Sequence, residues 1–144
     1  MREIKFRAWD KKGKIFYKSI WNLQWCLGGI RFAWDDYKNS DGETMITDLV
    51  DGDYELMQFT GLLDKNGKEI YDGDICAVNE MGLSEKTNYE VKWMKEYPAF
   101  DLDGWEGDSN ALSEITQTGD WEIEVIGNIY ETPELLTPKP ERGE

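Results

Sequence analysis

The fold turns on one stretch, Met57-Gln58-Phe59-Thr60-Gly61-Leu62-Leu63-Asp64-Lys65-Asn66-Gly67-Lys68-Glu69-Ile70-Tyr71-Asp72-Gly73-Asp74-Ile75-Cys76-Ala77-Val78. Tyr54 to Phe59 reads as a strand. Asp64-Lys65-Asn66-Gly67 is a hairpin turn, because Asn-Gly tolerates the positive φ that tight turns need. Gly61 and Gly67 fit positions of that kind. Lys68 to Tyr71 ends a strand. Asp72-Gly73-Asp74 turns the chain again, its carboxylates suited to turn amides, and Ile75 to Val78 is a compact apolar β run.

The same pattern extends outward. Ile4, Phe6 and Ala8 alternate with Lys5, Arg7 and Trp9, a period of two. Lys11 to Lys14 is turn-like, so residues 3–20 read as a β-hairpin. Residues 21–46 are harder to read: an irregular Trp-rich insertion is expected, as a loop, a hairpin or a short helix. Gly28-Gly29 and Asn39 to Gly42 mark turns in it. Toward the C-terminus, residues 79–88 read as a loop and Tyr89 to Trp93 as a strand. Phe100 to Leu102 reads as a short strand, 109–117 as one short helix, and Trp121 to Ile126 as a strand continuing to Tyr130. Asn128 beside Gly127 suits a bulge. Pro133, Pro138 and Pro140 end regular structure, and a flexible tail is expected over 138–144. The class is mainly β, a small barrel or sandwich with at most one or two short helices.

The chain has 144 residues, enough for one domain. Thirty acidic and 16 basic residues give a formal charge of −14, and histidine is absent. That absence excludes imidazole bases and histidine-ligated metals. Cys26 and Cys76 lie far apart with no CxxC. Two buried thiols are expected, with a single disulfide as the alternative and no zinc site. The N-terminus lacks an apolar signal region, and Asn22, Gln24 and Arg31 interrupt the apolar stretch Ile20–Trp34. A soluble cytoplasmic protein without a membrane segment is expected.

Charge is uneven. Residues 1–18 hold seven basic and two acidic residues, a local +5; residues 73–144 hold five basic and seventeen acidic, a local −12. The bland reading is solubility. The sharper ones are head-to-tail self-association and an acidic imitation of nucleic acid. Repulsion disfavours nucleic-acid binding by the whole protein.

Three blocks resemble the YopX family of phage and prophage proteins: Ile4 to Asp10; Met57 to Leu62 with Asp64 to Ile75; and Val125 to Glu131 with Pro133 to Leu136. They follow the family's order over residues 4–136. The resemblance implies an SH3-type β-barrel core, homo-oligomers and a phage or prophage setting. It implies one YopX-like domain over residues 1–137, with the barrel core at about 50–131. It supplies no activity and no catalytic residues.

The residues agree in offering little chemistry. Asp101, Asp103, Glu106 and Asp108 crowd a glycine-containing loop, but an EF-hand's spacing is not met. A solvated acidic loop is the plainer reading. There is no phosphate loop, GxGxxG or GxSxG, and neither cysteine has a histidine to activate it. No enzyme is expected, and no catalytic, cofactor-binding or metal-binding residue is assigned. Seven tryptophans and seven tyrosines are many for this length; core and barrel-face packing is the plainer reading, and a binding surface is the alternative. Trp21, Trp25 and Trp34 in the insertion, with Lys5, Arg7 and Trp9 in the hairpin, are the candidate partner contacts. The leading expectation is a non-enzymatic accessory protein that self-assembles and binds a host protein. The alternatives are an acidic nucleic-acid mimic directed at a host DNA-binding protein, and single-stranded nucleic-acid binding through the basic hairpin, with Tyr17 as a further stacking face.

Overall fold

The computed structural model describes residues 4–26, 29–38, 41, 44–50, 54–106 and 111–136; within 18–50, side chains are described for Ile20, Phe32 and Asp41. The tail over 138–144 and the Gly28 and Asn39 to Gly42 turn residues other than Asp41 fall outside that set. The chain is mainly β, and its described residues form two antiparallel sheets with one α-helix. It divides into two compact units, Met1–Phe59 and Thr60–Glu144.

The first unit holds β1 (Phe6–Asp10), β2 (Ile15–Cys26), β3 (Gly29–Lys38), β4 (Thr44–Val50) and the first part of β5 (Tyr54–Leu63), ordered β4-β3-β2-β1-β5. The expected N-terminal hairpin is present: Trp9 pairs with Phe16 and Asp10 with Ile15. The expected irregular insertion is instead made of strands, with β2 pairing β3 and β3 pairing β4. Of the three forms left open, the hairpin is the one found. Bulky β-branched and aromatic residues there favour an extended backbone.

The hairpin turn is closed by Asp10. Its carboxylate accepts from the Lys12 and Gly13 amides, both at 3.0 Å. A Cβ on Gly13 would lie 2.6 Å from Asp10 Oδ2, so a larger residue there would have to displace that carboxylate. The left-handed residue is Lys14, at φ 56°.

The period of two separates two faces of β1. Ala8 joins Ile20 and Phe32 in a buried cluster edged by Phe6, Tyr17, Tyr54 and Leu56. Phe32 packs on Tyr17 and Tyr54, with ring centroids 5.9 and 6.3 Å away. Arg7 and Trp9 lie on the other face.

The second unit holds the rest of β5, β6 (Glu69–Tyr71), β7 (Asp74–Glu80), β8 (Thr87–Trp93), β9 (Phe100–Leu102), α1 (Ala111–Gln117), β10 (Trp121–Asn128) and a 3-10 turn (Pro133–Leu136). Its four-stranded sheet runs β10-β7-β8-β9. The central strand β7 is buried from Asp74 to Asn79. Ile70, Cys76, Val78, Val91, Leu102, Ile123 and Val125 form the core, and α1 adds Ala111, Leu112 and Ile115 from one face.

Buried carboxylates fasten this unit. Asp64 accepts from the Asn66 and Lys68 amides (both 2.9 Å) with one oxygen and from Val125 N–H (3.0 Å) with the other. Asp74 accepts from Tyr71 N–H at 2.8 Å, across the turn that Gly73 makes at φ 85°. Asp101 accepts from the Leu102, Ala111 and Leu112 amides and the Tyr97 hydroxyl, and so caps α1 from a distant strand. At the bulge between Val125 and Gly127, Asn128 accepts from the Tyr130 and Glu131 amides, the role expected of it. Burial, with Asp74 and Asp64 nearby, pushes the Cys76 thiol well above its ordinary pKa, so it stays protonated and inert. Among the described residues no helix is long and apolar enough to cross a membrane.

Candidate interaction site

The apolar face of the second sheet runs out into a cleft. Residues opposite one another in an antiparallel ladder share a face. Val78 pairs with Ile123 on β10 and with Thr87 on β8; Cys76 pairs with Tyr89; two residues past Val78, Glu80 pairs with Trp121. The face therefore begins as core and ends as Glu80, Thr87, Tyr89 and Trp121. There it opens into a cleft of about 500 Å³.

The loop after β9 supplies the other wall. Gly104, at φ 86°, turns the chain so that Trp105 N–H reaches Leu102 O at 3.3 Å. The Trp105 ring packs on Tyr89 at 5.4 Å and 56°, and on Trp121 at 5.2 Å and 70°. Tilted and edge-on contacts of this kind suit the ring quadrupoles. Three rings thus make one continuous wall, half-buried and backed by the core.

The rim is held from the reverse face. Asn79 donates to Leu83 O at 2.9 Å and to Glu122 Oε1 at 3.2 Å, while Met81 N–H reaches Asp120 O at 2.8 Å. This leaves Met81 and Leu83 53% and 57% exposed. Glu80, Glu85 and Glu106 line the cleft, and no lysine or arginine does. Among the described residues, none of the three carboxylates meets a hydrogen-bond donor or a cation.

The contacts expected from sequence lie elsewhere. Arg7 and Trp9 are buried, at 8% and 5% exposure. The Arg7 guanidinium sits 4.7 Å over Phe16, with Nη2 3.4 Å from Met57 Sδ. Trp9 packs on the same Phe16 ring at 4.7 Å. Both side chains are interior, and a partner would meet little of either. Lys5 is half-buried, its ammonium 5.4 Å over Phe59. Trp21 and Trp25 lie on β2 and Trp34 on β3, with side chains outside the described set.

The acidic loop is not gathered into a site. Asp101 is spent on backbone amides, Asp103 lies 3.5 Å from Lys92, Glu106 faces the cleft, and Asp108 is outside the described residues. No group of three or more acidic or cysteine side chains able to hold a metal occurs among the described residues. Sequence reasoning missed Tyr89, Trp105 and Trp121 as a set. The available signal was a tryptophan inside the acidic loop and another opening the last alternating strand.

A family model described as YopX protein matches residues 5–137. The chain is similar to the crystal structure of protein EF1440 from Enterococcus faecalis, with 28% identity, a TM-score of 0.65, and 94% of this chain and 99% of that one covered. It is also similar to the X-ray structure of protein yopX from Bacillus subtilis, with 21% identity, a TM-score of 0.57 and the same coverage, a likeness of fold. No curated protein matches it.

Proposed function

This chain belongs to the YopX family, and from that premise we propose that it is a non-enzymatic phage or prophage accessory protein, a cytoplasmic, self-assembling module that binds a host protein. The observation that carries the binding half is the cleft walled by Tyr89, Trp105 and Trp121 beside exposed Met81 and Leu83. Contiguous aromatic faces beside exposed apolar side chains are what interface hot spots are made of. The ladder β10-β7-β8-β9 around one core supports an SH3-type reading of the second unit. The self-assembly half is supported by the charge asymmetry along the chain and by the edge strands that each sheet has.

The mimic reading keeps the −12 half in its favour. Single-stranded nucleic-acid binding through the hairpin is weakened, because Arg7 and Trp9 are buried and half-buried Tyr17 is left as its stacking face.

Affinity capture from bacterial lysate, with and without nuclease, tests the binding half. A discrete protein that survives nuclease and is lost with Trp105→Leu is expected; capture of nucleic acid alone overturns it. Light scattering at micromolar concentration tests the other half, where a monomer counts against self-assembly.

A further inference from the structure

We propose that the cleft between β7, β8 and the loop after β9 binds an arginine or lysine side chain, presented by a basic segment of a partner protein. The proposal rests on the protein-binding reading and adds the chemistry of the partner.

Three features of the cleft point to a cation together. The wall is aromatic: Trp105 touches both Tyr89 and Trp121, and ring faces attract cations held within about 6 Å of their centroids. A guanidinium plane also stacks on indole. The rim is anionic: Glu80, Glu85 and Glu106 line the cleft, and among the described residues none has a donor or cation of its own. The buried carboxylates of this unit behave differently, since Asp64, Asp74 and Asp101 are engaged by backbone amides. Those three hold the fold, whereas the cleft carboxylates are left for a ligand.

The third feature is shape. A cleft of about 500 Å³ admits one long side chain with its flanking backbone, not a folded domain. Leu83 at the rim, with exposed Met81 beside it in the chain, offers apolar surface for the methylene stem, while the charged head meets rings and carboxylates. An anionic ligand is disfavoured by the rim and by the formal charge of −14. A neutral apolar ligand would gain nothing from the three carboxylates, which are exposed at the rim.

The test is titration of the full chain with a short capped peptide carrying two arginines, its lysine analogue, and its citrulline analogue, which keeps the shape without the charge. Tryptophan emission and calorimetry are the readouts. Emission should change with the arginine and lysine peptides, and citrulline should bind at least tenfold more weakly. Trp105→Leu should abolish binding, and the combined Glu80→Gln, Glu106→Gln variant should weaken it about tenfold. Both glutamates are exposed, so that variant should fold; circular dichroism checks this and Trp105→Leu. Equal binding of citrulline and arginine, or no response to either cationic peptide, overturns the proposal. If lysate capture survives Glu80→Gln, Glu106→Gln unchanged, the binding module stands and the cation does not. If emission changes with the protein's own concentration and the change is lost in Lys11→Glu, Lys12→Glu, Lys14→Glu, the occupant is a second copy and the foreign partner is overturned.

Discussion

The two units solve the same problem by different means. Residues 4–59 are joined by ladders around a small aromatic cluster, with Phe32 fully buried against Tyr17 and Tyr54. Residues 60–136 bury an aliphatic core and carry buried carboxylates that grip backbone amides at the turns before β6 and β7 and at the start of α1. In the first unit the carboxylate at work among the described residues is that of Asp10, which takes the Lys12 and Gly13 amides at the hairpin turn. The second changes direction through β6, β9, α1 and a bulge, and each change leaves amides that a side chain must satisfy.

The largest expected effect breaks the first unit's side of this contrast. Phe32→Ala should cost about 3–5 kcal/mol in denaturant unfolding, because the ring is fully buried and packs on Tyr17 and Tyr54. Hydrogen exchange should show the loss of protection concentrated at β1 and β5 amides. Asp101→Ala attacks the other side. Three amides and the Tyr97 hydroxyl lose their acceptor, and about 2–4 kcal/mol should be lost, with helical circular dichroism falling alongside.

Smaller changes sharpen the contrast. Gly127→Ala would drive a methyl group into Thr132 Oγ1 and to 2.9 Å from Leu135 Cδ1, an overpacking cost of about 1–3 kcal/mol by thermal unfolding. Gly119→Ala, with nothing within 4 Å, is the control and should be close to neutral. Lys14→Gly should stabilise the first hairpin by about 0.5–1 kcal/mol, since glycine adopts the left-handed conformation without steric cost.

The smallest effect concerns Glu90. Burial raises its carboxyl pKa, and Asp103 adds to this while Lys92 opposes it. A raised folded pKa means the folded state holds the proton longer than the unfolded one. Its contribution to stability is therefore present below the ordinary glutamate range and is lost as pH rises through the raised value. Glu90→Gln should raise Tm slightly at pH 7 and leave it unchanged at pH 4.

What was legible in the sequence was local. The turns at Asp64 to Gly67 and Asp72 to Asp74 were readable because their partners lie within a few residues. The short strand Phe100–Leu102 was placed as read, and the helix read over 109–117 is found at Ala111–Gln117. Alternation in β1 assigned Arg7 and Trp9 to one face but said nothing of what covers it, so their burial was not legible there. The cleft was not legible at all. Tyr89, Trp105 and Trp121 meet only because β8 and β10 flank β7 and Gly104 turns a loop toward them. Pairing at that separation is tertiary information. Asp101 hid in the same way: it reads as one acid among several until the fold brings α1 to it.

The place of β7 has a consequence for biosynthesis. Its neighbours are β8, made directly after it, and β10, made much later. A nascent chain that has not yet reached Trp121 carries β7, buried from Asp74 to Asn79 in the finished fold, with one edge bare, and Asp64 with one oxygen still waiting for Val125. Until β10 emerges from the ribosome, that edge is open to pairing with any other extended chain. Translational pausing between residues 81 and 120 should therefore favour aggregation, and the yield of soluble protein should depend on how quickly the last strand is delivered.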